Sequence, residues 1–378
     1  MFIAGEASGD AHAAELIKAL RAQAPGVKVF GAGGPKMREA GMELTLDLTE
    51  HAVVGLVEVL RNYAKFRKIF WQLVREAEQR KPDAVVLVDF PGFNLRFAAQ
   101  MKRRAIKVIY YISPQLWAWH AGRARQIERD VDLMLTIFPF ERNWYAVHAP
   151  KLRVEFVGHP MAERLRGEGE APAELGASAR REPRPPGTNR RREENVVLLL
   201  PGSREREVAK IFPILAKVVD LTPGDVKFVA AAVDERSAAM MKHPRVTVET
   251  GNAHEWMQRA ALAITASGTA TMECAFFGCP MIIVYKVNWL TYEIGRRVVK
   301  VNWLGMPNVI AGRTIVPEFL QHAAQPARIA ELAGALLKDA AKRETMQRDL
   351  AEVVTSLGGP GASERAAKLI LEATGRAA

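Results

Sequence analysis

The chain opens with the stretch MFIAGEASGD at residues 1–10, and a similar stretch, VVLLLPGSR, follows at residues 196–204. Each begins with an apolar run that predicts a buried strand, continues through a loop of small residues and enters a helical pattern. Glycine in such a turn lets backbone N–H groups at a helix N-terminus approach a phosphate or a sugar closely. We therefore expect two similar halves that face each other across a nucleotide-sugar cleft.

Further apolar runs alternate with amphipathic helical patterns on both sides of residue 196. This alternation is typical of doubly wound parallel sheets, so the predicted fold class is α/β with two Rossmann-like domains. We place the domains at 1–165 and 196–354, joined by a linker or insertion at 166–195 that is rich in Gly, Pro, Glu and Arg. The remaining strands are predicted at 27–31, 84–89, 108–113, 133–137, 154–157, 226–231, 246–248, 262–265 and 281–285.

Size and composition narrow the class of protein. With 378 residues, of which 49% are hydrophobic, the chain can build two globular cores. Its two cysteines, Cys274 and Cys279, are too few for a disulfide framework, which favours a reducing compartment. We recognise no signal peptide, no cluster of side chains with metal-ligand spacing and no apolar run of the roughly 18 to 20 residues that cross a bilayer.

The net charge of +11 predicts an anionic partner. Nucleic acid, an anionic membrane surface and a phosphorylated substrate all satisfy this condition. Charge by itself does not choose among them.

The loop Ser267-Gly268-Thr269 carries the strongest local signal. It follows a buried strand, and Glu273 lies about one helical turn later. Backbone N–H groups of the loop can bind a diphosphate, and the carboxylate can accept hydrogen bonds from the two hydroxyls of a ribose. The alternative is that Ser267 only caps the helix and Glu273 is solvated, but ligands of open α/β sheets bind at such strand ends.

Two further residues follow predicted strands. Arg204 comes after Pro201-Gly202-Ser203 and is placed to contact a diphosphate as leaving-group charge develops, although a surface role is the alternative. Asp89 stands at the tip of the strand before Phe90-Pro91-Gly92-Phe93-Asn94, where a general base would be held rigidly. Its alternative role is to cap the turn through Asn94.

Taken together, these motifs resemble the lipid-A-disaccharide synthase family nearly from end to end. The family has the GT-B fold and inverts the configuration of the transferred sugar, and its last helix, about 355–378 here, crosses back onto the first domain. The motifs in this order are more specific for the family than any one of them alone. They lie at residues 5–10, 89–94, 113–119, 158–161, 201–204, 267–273 and 307–313.

The resemblance implies transfer of 2,3-diacylglucosamine from its UDP conjugate to the 6-hydroxyl of 2,3-diacylglucosamine 1-phosphate, without a cofactor or a metal. It implies that Asp89 is the base. The positions that match the surroundings of UDP are Arg204, Ser267, Gly268, Thr269, Glu273 and Asn308, with Glu6, Ser8 and Gly9 in the facing loop. We interpret His159, beside Pro160, as a hinge or domain-boundary residue rather than a ligand.

The acylated substrates imply contact with a membrane. We expect a cytoplasmic enzyme, peripheral on the inner face of the inner membrane, and the resemblance allows a homodimer. The candidate membrane segments are 61–81, which contains Phe66, Ile69, Phe70 and Leu73, and 289–303. The alternative for 61–81 is an amphipathic helix whose apolar stripe packs on the sheet.

Two other functions compete with this prediction. Another UDP-hexosamine transferase or an epimerase of the same fold would share the 267–273 loop but not the whole set of motifs. An RNA-binding protein would explain the charge, but it would show aromatic and basic residues interleaved on one face. We expect no nucleic acid partner.

Overall fold

The computed structural model describes residues 1–49, 63–169, 192–287 and 301–376. The chain divides into two compact units, Met1–Pro160 with Gly358–Ala378, and Met161–Leu357. The division follows the Gly158-His159-Pro160 turn, five residues before the predicted boundary at 165.

The first unit is built on a seven-stranded parallel sheet with the order β3-β2-β1-β4-β5-β6-β7. The order reverses between β1 and β4, which makes this pair the topological switch point where ligands of such sheets bind. The strands are β1 (Phe2–Ala4), β2 (Phe30–Gly33), β3 (Glu43–Asp47), β4 (Ala84–Val88), β5 (Lys107–Tyr111), β6 (Leu133–Thr136) and β7 (Arg153–Phe156).

Helices connect these strands and cover the sheet. They are α1 (Ala7–Gln23), α2 (Pro35–Glu39), α3 (Tyr63–Arg80), α4 (Pro91–Arg103), α5 (Leu116–Trp119), α6 (Ala124–Asp130) and α7 (Pro139–His148). The continuous apolar runs of the central strands, such as Ala84–Val88, are buried throughout, as expected for strands covered on both faces.

Helix α3 packs its apolar stripe into the core. Ile69 and Leu73 are buried there, and Phe70 is partly buried against the same cluster. The alternative interpretation of segment 61–81 is therefore the correct one for these three side chains, which do not face a membrane. Residues 61 and 62, and residues 289–300 of the second membrane candidate 289–303, lie outside the described residues.

The second unit repeats the architecture with six parallel strands in the order β10-β9-β8-β11-β12-β13. Here the order reverses between β8 and β11. The strands are β8 (Glu193–Leu200), β9 (Lys227–Ala232), β10 (Val246–Thr250), β11 (Ala260–Ala266), β12 (Met281–Tyr285) and β13 (Glu318–Leu320). The helices are α8 (Met161–Gly169), α9 (Glu205–Leu221), α10 (Glu235–Ala239), α11 (Ala253–Arg259), α12 (Thr269–Phe276), α13 (Met306–Ala311), α14 (Pro326–Lys338) and α15 (Ala340–Ser356).

Several predicted boundaries need correction. Helix α8 covers the first residues of the predicted linker 166–195 and β8 covers the last ones, while residues 170–191 lie outside the described residues. The strand predicted at 27–31 lies at Phe30–Gly33 instead. Strands β3 and β13 were not predicted because their short sequences, such as Glu318–Leu320, mix charged and apolar residues.

The last helix, α16 (Ala362–Ala373), returns to the first unit and packs against α1. Arg365 on this helix donates hydrogen bonds to the carbonyl of Val157 at 2.8 Å and to those of Pro360 and Gly359 at 2.7 and 2.9 Å. The Arg365 guanidinium thus connects Val157, near the end of the first segment of this unit, to Gly359 and Pro360, near the start of its second segment.

Candidate active site

Asp89 is the first residue beyond β4, at the switch point of the first sheet. Ala4 and Val88 are neighbours in the register of β1 and β4, so Gly5 and Asp89 leave the sheet side by side. Asp89 and Phe90 both have left-handed backbone angles, with φ of 46° and 50°. A Cβ added to Gly5 would lie 2.3 Å from the Phe90 ring, so the turn requires glycine at that position.

Side chains from two other elements hold the backbone of Asp89. The Tyr110 hydroxyl donates to the Asp89 carbonyl at 2.6 Å, and the Asn94 amide donates to the same oxygen at 2.7 Å. The amide also reaches the Val88 carbonyl at 3.3 Å. Asn94 therefore does order the turn, as the alternative interpretation proposed, but it does so through the main chain and leaves the Asp89 carboxyl group outside this contact.

The environment of Asp89 raises the pKa of its carboxyl group to about 6. Burial is the main cause, because it disfavours the charged form, and the nearby charge of Glu6 adds to it. A hydrogen bond from the Phe90 N–H acts in the opposite direction. A carboxylate with this pKa is ionised at neutral pH and is a better proton acceptor than an ordinary aspartate.

Glu6 lies in the loop after β1, whereas Ser8 and Gly9, which the sequence predicted in the same loop, lie in the first turn of α1. Glu6 precedes the first turn of α1, and both Glu6 and Ser8 are exposed, whereas Gly9 is buried against β1 and β4. Asp10 is buried and accepts hydrogen bonds from the N–H groups of Gly34, Lys36 and Met37 at 2.9 to 3.1 Å. Asp10 joins α1 to the start of α2.

The second unit places two candidate loops next to each other at its own switch point. Leu200 and Thr265 are register neighbours on β8 and β11, so residues 201–204 and 267–268 leave the sheet together. Arg204 precedes α9 and donates to Glu207 at 3.1 Å, and its side chain is 64% exposed. The same carboxylate accepts the Ser203 N–H at 3.2 Å.

Ser267 and Glu273 are held by neighbours that the sequence analysis did not identify. The Ser267 hydroxyl donates to the Leu304 carbonyl at 3.2 Å, and Gly268 and Thr269 are exposed. Glu273, 18% exposed, lies 3.1 Å from Arg164 of α8 and 3.5 Å from His254 of α11. These contacts join distant parts of the sequence, which is why spacing gave no signal for Arg164 and His254.

Asn308 is fully buried. Its amide donates to the Val316 carbonyl at 2.8 Å and to Glu318 at 2.7 Å, while its oxygen accepts the N–H groups of Ile315 and Val316 at 2.7 and 3.0 Å. Glu318 in turn accepts the Leu304 and Gly305 N–H groups, both at 3.0 Å. Asn308 therefore orders the loop that contacts Ser267.

The segment 113–119 is anchored by a buried acid that the sequence analysis missed. Glu141 is fully buried and accepts the Phe138 N–H at 3.1 Å and the Trp117 indole N–H at 3.3 Å. Burial raises the pKa of Glu141 to about 8. Only the acidic half of a capping box is present, because the Phe138 side chain has no hydrogen-bond acceptor, so the local sequence gave no signal for this role of Glu141.

Solved structures with the same architecture show which fold the chain has. The chain matches a UDP-N-acetylglucosamine 2-epimerase from Listeria monocytogenes (TM-score 0.62, 12% identity, 98% of this chain and 95% of that one). It matches the Arabidopsis thaliana protein UGT89C1 equally well (TM-score 0.62, 12% identity, 99% and 98%). These likenesses establish the class, the GT-B fold that the family resemblance implied.

Sequence comparison then defines the family. A family model described as lipid-A-disaccharide synthetase matches residues 1–373. The lipid-A-disaccharide synthase of Geobacter sulfurreducens is 40% identical over 100% of this chain and 97% of its own length, and that of Anaeromyxobacter dehalogenans (strain 2CP-1) is 39% identical over 98% and 96%. The chain belongs to the lipid-A-disaccharide synthase family and functions as a glycosyltransferase of lipid A biosynthesis. The epimerase and RNA-binding alternatives are not favoured.

No group of three or more His, Cys, Asp or Glu side chains within the described residues is arranged to hold a metal ion. None of the helices in the same part of the chain is both long and apolar enough to cross a membrane.

Proposed function

We propose that Asp89 is the general base of the transfer and that the acceptor is 2,3-diacylglucosamine 1-phosphate, with UDP-2,3-diacylglucosamine as the sugar donor. The proposal is carried by one observation: a half-buried carboxyl group with a raised pKa stands on an immobilised turn at the switch point of the first sheet. The proposed substrates are those that the resemblance to the lipid-A-disaccharide synthase family implies, and membership of that family supports them.

In the proposed step, the 6-hydroxyl oxygen of the acceptor attacks the anomeric carbon of the donor sugar. Asp89 takes the hydroxyl proton as the new C–O bond forms, and the bond between the anomeric carbon and the diphosphate breaks. UDP leaves with that electron pair. A single displacement inverts the anomeric configuration, gives a β-1,6-linked disaccharide and needs no protein nucleophile.

The loops of the second unit are proposed to bind UDP. Backbone N–H groups of Ser267-Gly268-Thr269 at the start of α12 would face the diphosphate, and Glu273 would accept hydrogen bonds from the ribose. Arg204 would release its contact with Glu207 and bind the diphosphate instead. Its side chain is 64% exposed and lies at the start of α9, where a ligand can reach it. Asn308 would act indirectly, by shaping the loop behind Ser267.

The cellular setting is part of the same proposal. Acylated substrates require the enzyme to reach a membrane, and the net charge of +11 suits an anionic surface, so we place it on the cytoplasmic side of the inner membrane. Trp71, 39% exposed on α3, is a candidate contact because indoles favour membrane interfaces. A homodimer remains compatible with this arrangement.

The experiment is to measure UDP release from UDP-2,3-diacylglucosamine with and without the acceptor, in EDTA, for the wild type and for Asp89→Asn. Removing a general base should lower kcat by about 10²–10⁴-fold. Asp83→Asn is a matched control, because Asp83 is exposed at the opposite end of β4. Release that requires the acceptor, resists EDTA and is lost only in the Asp89 variant supports the proposal. A folded and fully active Asp89→Asn protein would contradict it.

A further inference from the structure

The carbonyl oxygen of Asp89 accepts two side-chain hydrogen bonds, from Tyr110 at 2.6 Å and from Asn94 at 2.7 Å. Both partners are fully buried, and they come from different elements, Tyr110 from β5 and Asn94 from α4. Two convergent buried contacts on one main-chain oxygen fix the orientation of that peptide group.

The backbone conformation explains why such a constraint is needed. Asp89 and Phe90 are consecutive non-glycine residues with φ of 46° and 50°, a region that costs energy for L-residues and persists only when surrounding contacts impose it. The direction of the Asp89 side chain depends on this conformation. Without the two contacts, the turn could relax towards ordinary backbone angles and would carry the carboxyl group with it.

The chemistry of each partner matches the task of donating to a carbonyl. Burial raises the pKa of the Tyr110 hydroxyl well above its ordinary value, so this group stays protonated and remains a hydrogen-bond donor throughout the working pH range. The amide nitrogen of Asn94 reaches both Val88 and Asp89, whereas its oxygen is buried without a hydrogen-bond partner among the described residues. Only the donating half of the Asn94 amide is used.

We infer that Tyr110 and Asn94 are positioning residues for Asp89, which they hold in the geometry of a general base without touching the substrate themselves. The inference rests on the proposed role of Asp89. Holding a reacting group in place contributes to the chemical step rather than to ground-state binding. Loss of a positioning contact should therefore lower kcat and leave KM for both substrates largely unchanged.

Tyr110→Phe is the direct test, because it removes one hydroxyl group and keeps the packing. Tyr145→Phe is its matched control. Tyr145, on α7 of the first unit, is as buried as Tyr110, but its hydroxyl forms a hydrogen bond with Ser113 at 2.9 Å instead of with Asp89. We expect Tyr110→Phe to lower kcat about tenfold with both KM values within twofold of wild type. Tyr145→Phe should leave kcat within twofold.

Thermal unfolding of both variants shows whether a loss of kcat reflects stability. Asn94→Ser, assayed well below its own unfolding temperature, provides a second variant if Tyr110→Phe does not fold, and it should also lower kcat with KM unchanged. Equal kcat values for Tyr110→Phe, Tyr145→Phe and wild type, with Asp89→Asn inactive, would overturn the inference and leave the role of Asp89 intact. An active Asp89→Asn variant would instead remove the proposed function on which the inference depends.

Discussion

The turn after β4 in the first unit and the loops after β8 and β11 in the second unit occupy equivalent places, each at the switch point of a parallel sheet. They are built differently. The first turn is strained and half-buried, and Tyr110 and Asn94 fix its main chain. In the loops of the second unit Arg204, Gly268 and Thr269 are exposed, and Arg204 pairs with Glu207 in the first turn of α9.

The two constructions suit different functions, proton acceptance in the first unit and nucleotide binding in the second. A base must be held in one geometry while a proton moves, and burial there also raises its pKa. A nucleotide-binding loop must release its internal partners and accept a ligand, which is easier for exposed pairs because solvent-exposed ion pairs are weak. Variants that act on one region and not on the other should therefore affect different kinetic parameters.

The largest effect in the second unit is expected from Arg204→Gln. The variant removes the guanidinium proposed to stabilise the departing diphosphate, so kcat/KM for the sugar donor should fall by about 10–10²-fold. Stability should change little because the pair with Glu207 is exposed. Arg206→Gln, which removes an exposed charge two residues further along α9, is the control for net charge, and a similar loss in that variant would contradict a specific role for Arg204.

Replacing Gly5 and Gly268 with alanine should change the free energy of unfolding in the first case and not in the second. In Gly5→Ala the new Cβ would lie 2.3 Å from the Phe90 ring, so we expect a loss of about 1–3 kcal/mol in the free energy of unfolding and a lower kcat. In Gly268→Ala nothing lies within 4 Å of the new Cβ, so the protein should unfold at the wild-type temperature. Its KM for the sugar donor should rise, because a methyl group would stand where the diphosphate approaches. Thermal unfolding and initial rates on the two variants test this contrast, and equal stability losses would contradict it.

The smallest effect is expected from Glu6→Gln, which tests how the turn sets the pKa of Asp89. The charge of Glu6 raises that pKa, so its removal should lower the pKa and move the acid limb of kcat/KM to lower pH. The position of the limb is the readout, since Glu6 is also a candidate substrate contact and its loss can change the plateau rate. A limb that stays in place would show that the charge of Glu6 does not contribute to the pKa of Asp89.

The sequence predicted the parts of the molecule that depend on local pattern. Alternating apolar runs predicted the two parallel sheets, and small-residue loops after strands predicted Asp89, Arg204 and the Ser267 loop as candidates. The sequence did not predict the hydrogen-bond partners of these residues, because the partners come from other elements. Tyr110 donates to Asp89 from a neighbouring strand, and Arg164 lies 109 residues before its partner Glu273.

Asn308 shows what resemblance leaves open about a residue. Its match to the family predicts a position in the surroundings of UDP, and the structure adds that its side chain is buried and that its amide nitrogen and oxygen bond within residues 308–318. Whether a polar side chain faces a ligand or its own loop depends on tertiary contacts. Spacing along the chain does not encode that difference.

The most direct test of Asp89 as the base is the pH dependence of kcat/KM for the wild type and for Asp89→Asn. Because the base must be ionised to accept a proton, activity of the wild type should rise with pH through a limb near 6, the raised pKa of Asp89. The residual activity of Asp89→Asn should lack this limb. If the variant keeps the same limb, another group accepts the proton, and the role proposed for Asp89 is wrong.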